Sequence, residues 1–176
     1  MTLARWDFQL ACAERVTGKI LNVGCKEDGA GLKQLYGDRV VNLDRYDYDE
    51  DAFDTDHKIV PIKIDIKYDI LNLPFTFAKD NEYDLVILGD ILEHLPEDKI
   101  PAILKEIYRI ANHLCITSPQ DERGVDPHHI TLVTLPKLKK WLADVGWKIR
   151  YLMQVNYLIV PEGHFVYAGR EDLNEA

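Results

Sequence analysis

KILNVGCKEDGAG, residues 19–31, is the stretch on which the fold turns. The apolar run Ile20-Leu21-Asn22-Val23 ends in Gly24, further glycines stand at Gly29 and Gly31, and Leu32-Lys33-Gln34-Leu35-Tyr36 continues with helical character. Strand, glycine-bearing turn, helix is how a nucleotide-binding βαβ unit opens. Glycine lets the backbone turn sharply and lets a ligand approach bare peptide. On this reading a loop runs from Gly24 through Gly29, and a helix over 30–36 is closed by Gly37-Asp38. Such strings also end ordinary strands, so the flanking sequence decides.

Upstream, Leu3, Trp6, Leu10, Ala13 and Val16 recur at helical spacing and predict a leading helix over 3–16. Downstream, residues 39–43 predict a second strand ending at Asp44, 20 residues after Gly24. A βαβ nucleotide fold places there the acid that accepts hydrogen bonds from ribose hydroxyls; the plainer reading is a loop start. Ile62-Lys63-Ile64-Asp65-Ile66 alternates and predicts a third strand, and Pro74 ends any regular element in 69–75. The continuous apolar run at 83–88 suits a strand buried on both faces of a parallel sheet. Ile100, Ile103, Leu104, Ile107 and Ile110 share one face of a helix over 98–111, and a strand over 112–117 ends at Ser118-Pro119. Thr134 is the expected N-cap of a helix with Leu138, Trp141, Leu142 and Val145 inward, stopped by Gly146. Strands over 147–155 and 164–169 lack a helix between them and pair as an antiparallel hairpin.

This order predicts an α/β three-layer sandwich on a mostly parallel sheet, one domain over 1–176 with a leading helix (1–17) and a core (18–170). Ligands of such sheets sit at the carboxyl ends of the strands. Gly24, Asp44, Asp69, Asp90 and Ser118 all fall at predicted strand ends, so they converge on one rim.

The composition narrows the function. A 47% hydrophobic and 29% charged chain is ordinary for a globular protein, and no apolar run reaches the roughly 18 residues of a membrane span. Three scattered cysteines, Cys12, Cys25 and Cys115, read as free thiols of a reducing compartment, hence a cytoplasmic protein. Net charge −9 argues against a nonspecific grip on nucleic acid. The acidic segment 44–58 fails the calcium-loop pattern, because Ala52 replaces the required glycine and Lys58 the closing glutamate.

The chain resembles the class I S-adenosylmethionine-dependent methyltransferases of the small methyltransferase-domain type. The resemblance rests on ILNVGCKEDGAG (20–31), VVNLDRYD (40–47), DILNLPF (69–75), YDLVILGDILEHLPED (83–98), ITSP (116–119) and HHITLVTLPKLKKWLADVGW from 128 onward. It implies a Rossmann-like α/β/α fold with seven strands in the order 3-2-1-4-5-7-6, strand 7 antiparallel. It implies S-adenosylmethionine as cofactor: Asn22, Gly24, Cys25 and Gly29 by its methionine part, Asp44 and Arg45 by the ribose, Asp69 and Ile70 by the adenine, and Gly89 and Asp90 facing sulfonium and substrate. Here Asn22 stands where the family usually has an acid, and Lys26 and Asp28 stand where it commonly has glycine.

The methyl of a sulfonium is already activated, so alignment does most of the catalytic work, and a base assists a hydroxyl acceptor. The candidate bases are His94, Asp90, His128 and His129, although Glu93-His94 can equally just shape its loop. No metal is required. An alternative places Asp90, Glu93 and His94 at i, i+3 and i+4 of a helical turn, with His129 completing a Mg²⁺ or Mn²⁺ site. That set resembles the metal site of small-RNA 3′-terminal 2′-O-methyltransferases. The leading expectation is transfer of a methyl group to a small-molecule acceptor. The alternatives are an inactive methyltransferase-fold binding or scaffold protein, a metal-dependent RNA 2′-O-methyltransferase and, last, a nicotinamide dehydrogenase. Trp6, Tyr46, Tyr48, Phe53 and Tyr157 are candidates either for packing or for lining an acceptor site, one that is open to a large acceptor or closed by a lid from a second copy or a partner chain.

Overall fold

The structure, a computed structural model, describes residues 3–46, 63–119, 127–155 and 163–170. Helix α1 (Leu3–Ala13) leads into β1 (Ile20–Val23), α2 (Lys26–Tyr36) and β2 (Val40–Asp44). The chain continues through β3 (Ile66–Lys67), β4 (Tyr83–Gly89), α3 (Ile100–Ile110), β5 (Ala111–Pro119), α4 (Leu135–Val145), β6 (Trp147–Val155) and β7 (Gly163–Arg170). The seven strands form one sheet in the order β3-β2-β1-β4-β5-β7-β6. All pairings are parallel except those of β7, which runs antiparallel to both β5 and β6.

Alternation along the strands builds two apolar layers. Ile20, Val40, Leu85, Ile87 and Cys115 face one side, where Cys12 and Ala13 of α1 and Leu32 of α2 cover them. Leu21, Val23, Leu43, Val86, Leu88 and Ile116 face the other, under Ile103, Leu104 and Ile107 of α3 and Leu138, Trp141 and Leu142 of α4. Side chains alternate across a strand, so a sheet covered on both faces needs apolar residues at successive positions. That is why β4 reads as an unbroken apolar run. Thr134 caps α4 by accepting from the Lys137 N–H at 3.4 Å, and Gly146, at φ 103°, ends it in the left-handed conformation.

The leading helix, expected over 3–16, ends at Ala13, and two further elements depart from expectation. The strand expected over 62–66 is only Ile66–Lys67, further along. Before it, Asp65 is tied to Asn42 through its backbone N–H at 2.9 Å, while its carboxylate accepts from the Asn42 N–H at 3.0 Å and pairs with Lys33 of α2. A side chain thus takes a bond that a regular ladder would make with a carbonyl. The second of the two is α2, which begins at Lys26, so Gly29 lies inside a helix and not in a loop. Gly31 is helical too, and a β-carbon there would stand 2.7 Å from the Trp6 ring. Glycine in that helix therefore serves close packing against α1. The calcium-loop check at 47–58, the acceptor-site candidates Tyr48, Phe53 and Tyr157, and Lys58 lie outside the described residues.

Candidate active site at the carboxyl ends of the strands

β1 pairs on one side with β2 and on the other with β4, so the sheet changes winding direction between β1 and β4. Helices on the two sides leave a crevice at such a point, and the residues following the strands surround it. The register sets Val23 beside both Leu43 and Leu88, so Gly24, Asp44 and Gly89 follow as neighbours on one rim. Gly24, at φ 65°, donates its N–H to the Leu43 carbonyl at 2.9 Å.

Asp44 is buried and its carboxylate accepts the Tyr46 N–H at 3.2 Å, which fixes the turn out of β2. Next to it an open cavity of about 430 Å³ is lined by Arg45, Tyr46, Lys67, Tyr68, Asp69 and Asn72. Asp69 is thus beside the end of β3, its carboxylate accepting the Leu71 N–H at 2.9 Å, while Ile70 is buried in the layer under α3. Asn22 points instead to the α2 side of the sheet, buried, its amide donating to the Asn42 side-chain oxygen at 3.4 Å. Cys25 is fully buried, and burial followed by the negative charge of Asp44 pushes its thiol up to about 12. It is a neutral packing group, not a nucleophile.

Beyond β4 the chain turns through Asp90 at φ 53°. The left-handed residue breaks the helical turn that would set Asp90 on one face with Glu93 and His94. Its carboxylate instead accepts from the Thr117 hydroxyl at 3.1 Å and pairs with Arg5 of α1. Gln9, one helical turn after Arg5, is buried against Gly89, where a β-carbon would meet its amide at 2.5 Å. The leading helix therefore lies across the end of β4, and Trp6 packs against Gly31 of α2.

Glu93, His94 and His129 form a separate group, with one ligand-type atom from each within 4.8 Å of the others. Glu93 is buried and accepts from the Ser118 hydroxyl at 3.0 Å. The segment carrying His129 is held to Glu93 by two backbone bonds, from Ile130 and Thr131 to the Glu93 carbonyl at 2.9 and 3.0 Å. The His128 carbonyl lies 3.2 Å from His94 Nδ1, and the His128 side chain is exposed.

Arg5, Gln9, Thr117 and Ile91 at this rim were not legible from sequence. Arg5 and Gln9 are spaced i, i+4 on α1, but nothing local names their partner. His164, wholly buried and opposite Ser118 in the register, is a further such residue; its signal is a polar residue inside the apolar run of β7.

Comparison with known proteins settles the family. The family described as Methyltransferase domain matches residues 21–113, more than half of the chain. The chain belongs to this methyltransferase family. No curated protein sequence matches it. Among solved structures it is similar to an S-adenosylmethionine-dependent methyltransferase from Archaeoglobus fulgidus, with 18% identity, TM-score 0.64, and 93% of this chain and 94% of that one covered. It is also similar to magnesium protoporphyrin IX methyltransferase from Synechocystis PCC 6803 with bound S-adenosylhomocysteine, at 17% identity and TM-score 0.66, covering 96% and 84%. Geranyl diphosphate C-methyltransferase from Streptomyces coelicolor A3(2) gives 10% identity and TM-score 0.67, covering 95% and 78%. At these identities the structures show the shared fold, and the strand order of this methyltransferase chain is the one its sequence implies.

Proposed function

We propose that the protein is an S-adenosylmethionine-dependent methyltransferase acting on a small-molecule acceptor. One observation carries this reading. A buried carboxylate at the end of β2, Asp44, adjoins both a bare, left-handed Gly24 at the end of β1 and the open cavity beside β3. A buried acid facing an open rim suits a ribose diol, whose two hydroxyls are donors. Bound there, S-adenosylmethionine supplies an electrophilic methyl group. Asp44 would hold the ribose, the rim of Asp69 and Ile70 would border the adenine, and Gly24 would admit the methionine end once the Ile91 side chain moves off it. Gly89 and Asp90 border the reacting centre, with Thr117 and Arg5 fixing the Asp90 carboxylate. The small-molecule acceptor draws support from the two relatives, which are named for magnesium protoporphyrin IX and geranyl diphosphate.

One observation favours a second reading, a methyltransferase-fold binding protein without transfer activity. The Ile91 side chain occupies the place a β-carbon on Gly24 would need, so the glycine's open face is covered. Calorimetric titration with S-adenosylhomocysteine separates the two. The enzyme reading expects one site, weakened at least tenfold in Asp44→Ala. Absence of binding at millimolar ligand by a folded wild-type protein favours the second reading.

A further inference from the structure

The geometry points to a divalent transition-metal site formed by Glu93, His94 and His129. The site stands on side-chain placement alone, whether or not the chain transfers methyl groups. One carboxylate oxygen and two imidazole nitrogens are a ligand set suited to Zn²⁺, Fe²⁺, Co²⁺ or Mn²⁺, and three protein ligands leave positions for water or an oxygen-bearing ligand. The three ligand-type atoms lie within 4.8 Å of one another. Metal–ligand bonds of about 2.0–2.2 Å require them to draw together by roughly an ångström, which is within reach of side-chain rotation.

Three features around the cluster hold these side chains as metal ligands need to be held. The first is the orientation of His94. Its Nδ1 lies 3.2 Å from the His128 carbonyl oxygen, and a carbonyl only accepts, so the bond places a proton on Nδ1 and leaves Nε2 as the ligating nitrogen. Metal-bound histidines are generally oriented in this way by a carbonyl or carboxylate. The second is the orientation of Glu93, whose carboxylate accepts from Ser118 at 3.0 Å at the end of β5. The third is rigidity: Ile130 and Thr131 both donate to the Glu93 carbonyl, and the Thr131 hydroxyl donates to Leu95 O at 2.5 Å, so the two ligand-bearing segments move as one piece. The His94 and His129 rings meet edge to face with centroids 4.7 Å apart.

The set differs from the helical-turn arrangement expected from sequence. Asp90 is outside it, because its left-handed backbone turns its carboxylate to Arg5 and Thr117. The ligand-bearing segments follow β4 and β5, on the same rim as the proposed acceptor position, so a metal-bound oxygen donor there is a ligand class this protein would take.

Titration of the metal-free protein with Co²⁺ alone, followed by visible absorption and calorimetry, tests the site. The expected result is one Co²⁺ per chain with the ligand-field bands of nitrogen coordination. His129→Ala and His94→Ala, both at positions that reach solvent, should each weaken binding at least tenfold, whereas His128→Ala and Asp90→Asn should bind as wild type does. Circular dichroism verifies that each variant is folded. No Co²⁺ binding by the folded wild type, or wild-type binding by both His129→Ala and His94→Ala, overturns the assignment; loss in Asp90→Asn equal to that in His129→Ala overturns the exclusion of Asp90.

Discussion

Ile91 lies directly over Gly24: its Cδ1 fills the place that a β-carbon on Gly24 would occupy. The two residues follow β4 and β1, adjacent strands at the point where the sheet reverses its winding. One side chain therefore governs access to the bare peptide at the end of β1. Truncating it in Ile91→Ala should raise S-adenosylhomocysteine affinity by severalfold in calorimetry. A loss of affinity in a folded Ile91→Ala protein would mean that the side chain is part of the ligand's wall and not a cover.

Gly24→Ala should act in the opposite direction. A left-handed backbone costs a residue with a β-carbon about 1–2 kcal/mol, and the new methyl also meets Ile91. A lower denaturation midpoint by chemical unfolding, with loss of ligand binding, is the expected outcome.

The contact between Gly31 and Trp6 joins α2 to the leading helix. Leucine at this position must push the indole away, and such overpacking costs about 1–3 kcal/mol. Gly31→Leu should therefore release α1 from the sheet first. Hydrogen exchange should accelerate in residues 5–13 before it does in β4. Uniform acceleration across both would show that α1 is not separately held.

A clamp on the far side of the sheet sets an acid sensitivity. Arg109 of α3 bonds Glu106 at 2.9 Å, the Phe75 carbonyl at 2.9 Å and Asp80 at 2.7 Å, while Glu106 accepts the Phe75 N–H at 2.9 Å. The Arg109 guanidinium, with help from that N–H, holds the Glu106 carboxyl below the ordinary glutamate range against the opposing effect of burial. A depressed folded-state value gives stability that is complete above the unfolded value, about 4.3, and is lost as pH falls through the lower folded value. Glu106→Gln should lower the melting temperature at pH 7, and its deficit should shrink below pH of about 4. A deficit that stays constant down to acid pH would assign the effect to shape and not to charge.

In the core, Ile107→Ala empties a fully enclosed position between α3 and the sheet. A loss of about 2–5 kcal/mol in urea unfolding is expected.

Much of this architecture was legible because burial on both faces of a sheet leaves a direct mark. The apolar run of β4 and the five isoleucine and leucine positions of α3 appear in the structure as read. What escaped is what depends on partners distant in sequence. Residues 24–29 read as a glycine loop because local rules treat glycine as a breaker, whereas α2 begins at Lys26 and takes in Gly29. β3 was expected earlier because its alternation is real, but the bonds between Asp65 and Asn42 replace a regular ladder there. The shared rim of Asp44 and Gly24 was legible from their spacing at strand ends. The placement of Asp90 was not, since a single left-handed residue turned it from the Glu93 and His94 side to Arg5.

The central claim is that the ends of β1, β2 and β3 hold an adenosyl cofactor. A crystal structure with S-adenosylhomocysteine tests it most directly. The prediction is a ribose on the Asp44 carboxylate, adenine in the cavity beside Asp69, and Ile91 moved off Gly24. A ligand bound elsewhere, or a rim left without ligand at saturating concentration, would contradict it.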